Sequence, residues 1–138
     1  MLYAARECAR VALGEGLPAR FARHAAAGRA MTAGLRAMGL TVFGDDSHRM
    51  TNVTGVLIPE GVDGERVRTA MRDHFEIEIG SAFGPLQGRI WRIGAMGYNA
   101  MQHKVLITLG ALEACLRREG FALPAGEAVT AAIAAWKA

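Results

Sequence analysis

Only two of the 16 basic residues are lysines, Lys104 and Lys137. The arginines that make up the rest are scattered, with no block of positive charge, and the net charge is a mild +3. A nucleic-acid or membrane surface needs such a block, so neither partner is expected. Cysteine is equally scarce. Cys8 and Cys115 lie far apart in helical patterns without motif spacing, so both are expected to be buried, reduced thiols rather than a disulfide or a metal site. The four histidines, His24, His48, His74 and His103, form no i, i+4 pair with another ligand, and no metal is expected. No apolar run approaches the roughly 20 residues a transmembrane helix needs. The first residues lack a basic stretch ahead of an apolar core, so no signal peptide is expected. The C-terminus, Trp136-Lys-Ala, carries no peroxisomal address. The expected setting is therefore cytoplasmic. There is no Gly-x-Ser-x-Gly elbow, no Walker loop and no nucleophile paired with a base. Internal repeats and low-complexity linkers are absent too.

What remains is a 138-residue chain, 51% hydrophobic and 21% charged, which is one globular domain with enough apolar residues for a core. Residues 2–13 read as a helix with Leu2, Ala5, Ala9 and Leu13 on one side. Gly14 and Gly16 interrupt it, and Pro18 suits the first turn of the next helix. That second helix spans residues 17–38. Leu17, Phe21, His24, Gly28, Met31, Leu35 and Met38 form one long stripe along it. His24 on this stripe is expected as a packed residue. Gly28 and Gly34 cost up to about 1 kcal/mol each in a helix interior. A close backbone approach would account for Gly28.

Short strands are expected at residues 40–43, 52–58, 76–79 and 90–94. The second is apolar at both parities, which implies cover on both faces. The third alternates cleanly, which implies an edge. Asp63 is an N-cap for a helix over 63–74. Asn99 is a plausible N-cap for a helix to 118, and a last alanine-rich helix follows Pro124 and Gly126. Asp45 and Asp46 read as a solvated loop pair. The 80–88 loop is rich in glycine but joins two strands, so it is a weak phosphate cradle. The order α-α-β-β-α-β-β-α-α fits an α+β fold, a mostly antiparallel sheet of three to four strands with helices on one face.

Arg92 stands out. It sits between Ile90, Trp91 and Ile93 in a short strand that runs into a glycine-punctuated turn. By alternation Trp91 and Ile93 face one way, and Ile90, Arg92 and Gly94 the other. A guanidinium stays charged and offers a planar fork suited to a carboxylate. Two readings stand side by side. Arg92 reaches solvent or pairs with an acid such as Glu76 or Glu78, or it awaits an external carboxylate.

Three segments carry a resemblance. Ile77-Glu-Ile-Gly80, Gly84-Pro-Leu-Gln-Gly88, and Ile90-Trp-Arg-Ile-Gly94 with Met96-Gly97 resemble the small, C-terminal domain of class V aminotransferases. The type is that of the alanine–glyoxylate, serine–pyruvate and ureidoglycine–glyoxylate enzymes. Leu2-Tyr3, Arg6-Glu7, Glu15-Gly-Leu17 and Arg23-His24 are similar to the helix leading into that domain. The resemblance covers about residues 1–118, while residues 120–138 look more like the ureidoglycine–glyoxylate, purine-catabolic branch. It implies a division into the end of an interdomain helical segment (1–16), the small domain (17–118) and a C-terminal helical tail (119–138).

The activity it implies is transfer of an amino group from alanine, serine or ureidoglycine to glyoxylate or a similar 2-oxo acid, with pyridoxal 5'-phosphate as cofactor. Arg92 then matches the arginine that holds the substrate carboxylate. Catalytic residues are expected outside this chain. The family's cofactor lysine and most of its phosphate cup belong to a large N-terminal domain. Lys104 and Lys137 fit no Schiff-base motif. Ser81-Ala82 replaces a pair of glycines often seen there. The expectation is a C-terminal piece beginning at an internal methionine, inactive alone and homodimeric when intact. The alternative is a free-standing, non-catalytic α+β binding or regulatory module.

Overall fold

Gly16, with φ of 82°, turns the chain from helix α1 (Leu2–Glu15) into helix α2 (Leu17–Ala37), which has Pro18 in its first turn. The computed structural model describes residues 1–137. The stripe of α2 divides in two. From Ala27 onward its apolar face is buried, with Met31, Leu35 and Met38 in the core. Leu17 and Phe21 stay exposed, and α1 buries none of its residues. The glycines of α2 have steric causes. A Cβ on Gly28 would lie 2.5 Å from the Thr51 carbonyl oxygen, which is the close backbone approach expected. One on Gly34 would lie 3.0 Å from the Ala128 carbonyl and against Leu109.

The sheet has three antiparallel strands in the order β1 (Val53–Leu57), β3 (Ile90–Gly94), β2 (Gly80–Ser81). Thr54, Val56, Trp91 and Ile93 are buried on the face that joins the core with α2, helix α3 (Gly64–Phe75), helix α4 (Gln102–Arg118) and helix α5 (Glu127–Lys137). Trp91 is fully buried, and its Nε1 donates to the Gly64 carbonyl at 3.1 Å, which ties the central strand to the start of α3. Helix α5 packs along α2 and α4 and buries Ala128 and Ala132. Among the described residues no helix is long and apolar enough to cross a membrane.

Three local expectations are corrected. Residues 40–43 make one bridge, Val42 to Val56, instead of a strand. Arg49 grips the Phe43 and Gly44 carbonyls and bends the chain off the sheet edge. Residues 76–79 are not a strand. Helix α3 runs to Phe75, Glu76 takes a left-handed φ of 56° as its cap, and Arg68 Nε takes the Ile79 carbonyl at 2.9 Å. Pairing therefore starts at Gly80. Asn99 closes a 3-10 turn, Gly97–Asn99, and Met101 precedes α4. Asp63 does cap α3, accepting from the Glu65 and Arg66 amides at 3.0 Å each. The odd positions of β1 are only half-buried, so its second face has partial cover.

Candidate anion site on the open sheet face

Arg92 lies on the central strand, opposite Gly55 of β1 and Gly80 of β2. Opposite residues in an antiparallel ladder share a face. Arg92 therefore projects on the side away from Trp91 and Ile93, between two residues that have no side chains. Its Nε donates to the Ser81 carbonyl at 2.8 Å. Its guanidinium carbon lies 4.7 Å from the centre of the Phe83 ring, a cation–π distance. No carboxylate among the described residues lies within ion-pair distance, so the pairing with Glu76 or Glu78 is not made. Nη1 and Nη2 have no hydrogen-bond acceptor among the described residues. The side chain is exposed. An open fork of two nitrogens, with the third already fixed on Ser81, can take a carboxylate end-on.

Beyond β3, the chain is held by two consecutive residues of α2. His24 Nε2 accepts the Gly97 amide at 3.0 Å, and its Nδ1 lies 2.7 Å from the Arg20 carbonyl. Those two contacts require the neutral tautomer with its proton on Nδ1. Arg23 Nη1 donates to the Gly97 carbonyl at 2.7 Å and to that of Ala100 at 3.2 Å. Both backbone polar groups of Gly97 are thus satisfied from α2. The rest of Arg23 makes a two-pronged pair with Glu15 at 2.6 and 2.8 Å, and Arg20 joins at 3.0 Å. Hydrogen bonding to Arg23, more than any other cause, holds the Glu15 carboxyl down to about 2. His24 is accordingly a packed and hydrogen-bonded residue, as the stripe implied.

The remaining candidates do not gather. Cys115 is buried and burial raises its thiol pKa, but Cys8 is exposed, which corrects the expectation of two buried thiols. It sits on α1, which has no buried residue. His48 contacts Ser47 and Asp45 on an exposed loop, and His74 and His103 are exposed. Asp46 is exposed but pairs with Arg36 and Arg49, so the loop acids are not merely solvated. No group of three or more His, Cys, Asp or Glu among the described residues could hold a metal. Lys104 stands in the first turn of α4 with its Nζ 5.5 Å from the Tyr98 ring centre, and Lys137 ends α5. Both stand on helices and not on the sheet. Sequence reasoning missed Gly55, the Ser81 carbonyl and Phe83 as neighbours of Arg92. Only Phe83 left a trace, as a large aromatic in a glycine-rich loop.

No protein-family model matches the chain. It is 53% identical over 133 residues to a (S)-ureidoglycine–glyoxylate transaminase of Bacillus subtilis, covering 96% of this chain and 32% of that protein. It is 37% identical over 123 residues to a pyridoxamine–pyruvate transaminase of Mesorhizobium japonicum, covering 88% of this chain and 31% of that protein. The crystal structure of a ureidoglycine–glyoxylate aminotransferase from Bacillus subtilis superposes with a TM-score of 0.95 at 50% identity, over 99% of this chain and 35% of the other. The chain thus spans about a third of the length of the curated relatives it matches.

Proposed function

Because this chain belongs with the class V aminotransferases and matches their C-terminal part, we propose that it supplies the substrate-carboxylate clamp of an enzyme moving an amino group from an amino acid to glyoxylate or a similar 2-oxo acid. The observation that carries this reading is the state of Arg92: Nε fixed on Ser81, one face on Phe83, Nη1 and Nη2 open, and no internal acid to neutralise it. Amino donor and oxo acceptor each bring a carboxylate next to the reacting carbon. One clamp serves both halves of the exchange. It orients the reacting carbon by its attached carboxylate and so limits the poses the substrate can take.

Pyridoxal phosphate supplies the electron sink of such chemistry when bound. The described residues do not form a site for it. The two lysines sit on helices and not on the sheet, and the loop around Gly84 joins two strands without opening an α-helix onto a phosphate. We therefore assign cofactor binding and proton transfer to the remaining, N-terminal large domain. That domain and a second subunit would also cover the apolar side chains that α1 and the start of α2 leave exposed, Leu2, Tyr3, Leu13 and Phe21. In this reading residues 1–16 are the end of an interdomain helix, 17–118 the small domain and 119–138 its helical tail, in a cytoplasmic homodimer.

The test uses an assembly that includes the large domain. Arg92→Ala should raise KM for both the amino donor and the oxo acceptor and lower kcat/KM by about 2–5 kcal/mol in transition-state terms. Arg92→Lys should recover only part of this, because an ammonium cannot offer two parallel donors. A simple amine without a carboxylate should react equally with wild type and Arg92→Ala. Equal handling of carboxylate substrates by both proteins would return Arg92 to a structural role.

A further inference from the structure

We propose that Phe83 is a positioning residue for Arg92, one that holds the guanidinium in a fixed plane before the carboxylate arrives. This rests on the carboxylate reading of Arg92 given above. The argument starts from what the sheet does not provide. Arg92 has four neighbours on its own face: Gly55 and Gly80 across the two ladders, and Ile90 and Gly94 along its own strand. Three of the four are glycine. None of the three has a positive φ. A Cβ would find ordinary space at two of them, 3.4 Å from the nearest atom of Phe43 at Gly55 and 3.5 Å from the Arg92 carbonyl at Gly80. At Gly94 it would meet only the mobile end of Met96, at 3.3 Å. Neither conformation nor crowding demands glycine here, and the consequence is a guanidinium for which Ile90 is the one side chain among these four strand neighbours.

Its orientation is then left to two contacts. The Ser81 carbonyl fixes the Nε edge, and the Phe83 ring fixes the plane. A hydrogen bond at one edge still lets the group rock about that bond. A ring against its face stops the rocking. With Nε committed, only the Nη1–Nη2 edge is left for a two-pronged carboxylate. An arginine on an open surface loses rotamer freedom when it binds, and ordering it beforehand removes part of that cost.

Among the described residues, Arg92 is the cation that the Phe83 ring meets. Phe83 is 76% exposed and lies outside the core cluster, whereas Ala82 before it is buried and the Gly84–Leu86 turn after it is closed by the Leu86 amide on the Phe83 carbonyl. The backbone is anchored on both sides while the ring stays on the surface, against Arg92. An exposed aromatic with a fixed base and a single cationic partner is a device for orienting that partner.

The test uses the isotopically labelled 138-residue chain, with glyoxylate as probe and the Arg92 Nε–H signal as a second readout. Phe83→Leu keeps an apolar side chain of similar bulk and removes the aromatic face. It should raise the apparent Kd for glyoxylate by about two- to fivefold, the range of an exposed cation–π contact, and speed exchange of the Arg92 Nε–H. The thermal midpoint should stay unchanged, because the ring is outside the core. Phe83→Trp should restore both readouts to near the wild-type values. Unchanged Nε–H exchange in Phe83→Leu, or a tryptophan variant as impaired as the leucine one, overturns the positioning role. If wild type shows no glyoxylate response at Arg92 while Phe83→Leu still frees the Nε–H, the positioning stands and the carboxylate reading falls.

Discussion

At the elbow between α1 and α2, Arg23 commits all its nitrogens, two to the Glu15 carboxylate and one to the Gly97 and Ala100 carbonyls. On the open face of β3, Arg92 commits only Nε. Both are arginines in regular elements of the same domain, yet one is saturated from inside the chain and the other is left with a free fork. The difference separates two uses of the same side chain. Arg23 joins backbone segments that are 74 and 77 residues away in sequence, and its charge is already matched by an acid. Arg92 joins nothing distant, lies between two glycines, and has an aromatic face in place of an acid. The first pattern builds structure. The second leaves Nη1 and Nη2 without an acceptor among the described residues.

The largest effect expected from this contrast is on stability. Arg23→Ala removes the side-chain donor from the Ala100 carbonyl, leaves the Gly97 carbonyl only the Ala100 amide at 3.3 Å, and takes from Glu15 its main partner, so it should lower the unfolding free energy by about 1–3 kcal/mol. Arg92→Ala should shift it by no more than about 0.5 kcal/mol, as for an exposed side chain outside any network. Chemical denaturation of the two variants beside wild type measures both. Equal destabilisation would erase the distinction between them.

Much of this could be read from the chain before any coordinates. Alternation put Arg92 opposite Trp91 and Ile93, and Trp91 is buried where that parity requires. The helical stripe with Gly28 on it foretold a backbone pressed against α2, and Thr51 is there. The failures have physical causes. Residues 76–79 alternate like a strand, but the left-handed cap at Glu76 and the Arg68 bond to Ile79 use that stretch to leave α3. Local pattern carries no information on such a cap. Leu17 and Phe21 continue the stripe of α2 in sequence, yet stay exposed. Periodicity marks which residues want cover and not whether this chain supplies it. The register that sets Gly55 and Gly80 beside Arg92 joins segments far apart in sequence, so the glycine flanks of the site were not legible.

A smaller effect should appear with acid. Glu15 is held at about 2 in the folded chain, chiefly by Arg23, and returns to an ordinary carboxylate value on unfolding. A depressed folded-state pKa gives stability that is complete above the unfolded value of about 4.3 and fades as pH falls toward 2. The thermal midpoint should therefore drop over that window in wild type and drop less in Arg23→Ala, where the depression is relieved. Arg92→Ala should follow the wild-type curve. Parallel acid profiles for all three proteins would show that the elbow pair contributes nothing through Glu15.

The central claim is that a carboxylate goes to Arg92, whose Nη1 and Nη2 have no acceptor among the described residues. Titration of the labelled chain with glyoxylate, followed at the Arg92 side chain and at the Gly80, Ser81 and Gly97 amides, tests it most directly. The expected result is a saturable shift at Arg92, Gly80 and Ser81, absent in Arg92→Ala, with the Gly97 amide at the elbow unmoved. A response that survives Arg92→Ala, or one centred on Gly97 and Arg23, would contradict it.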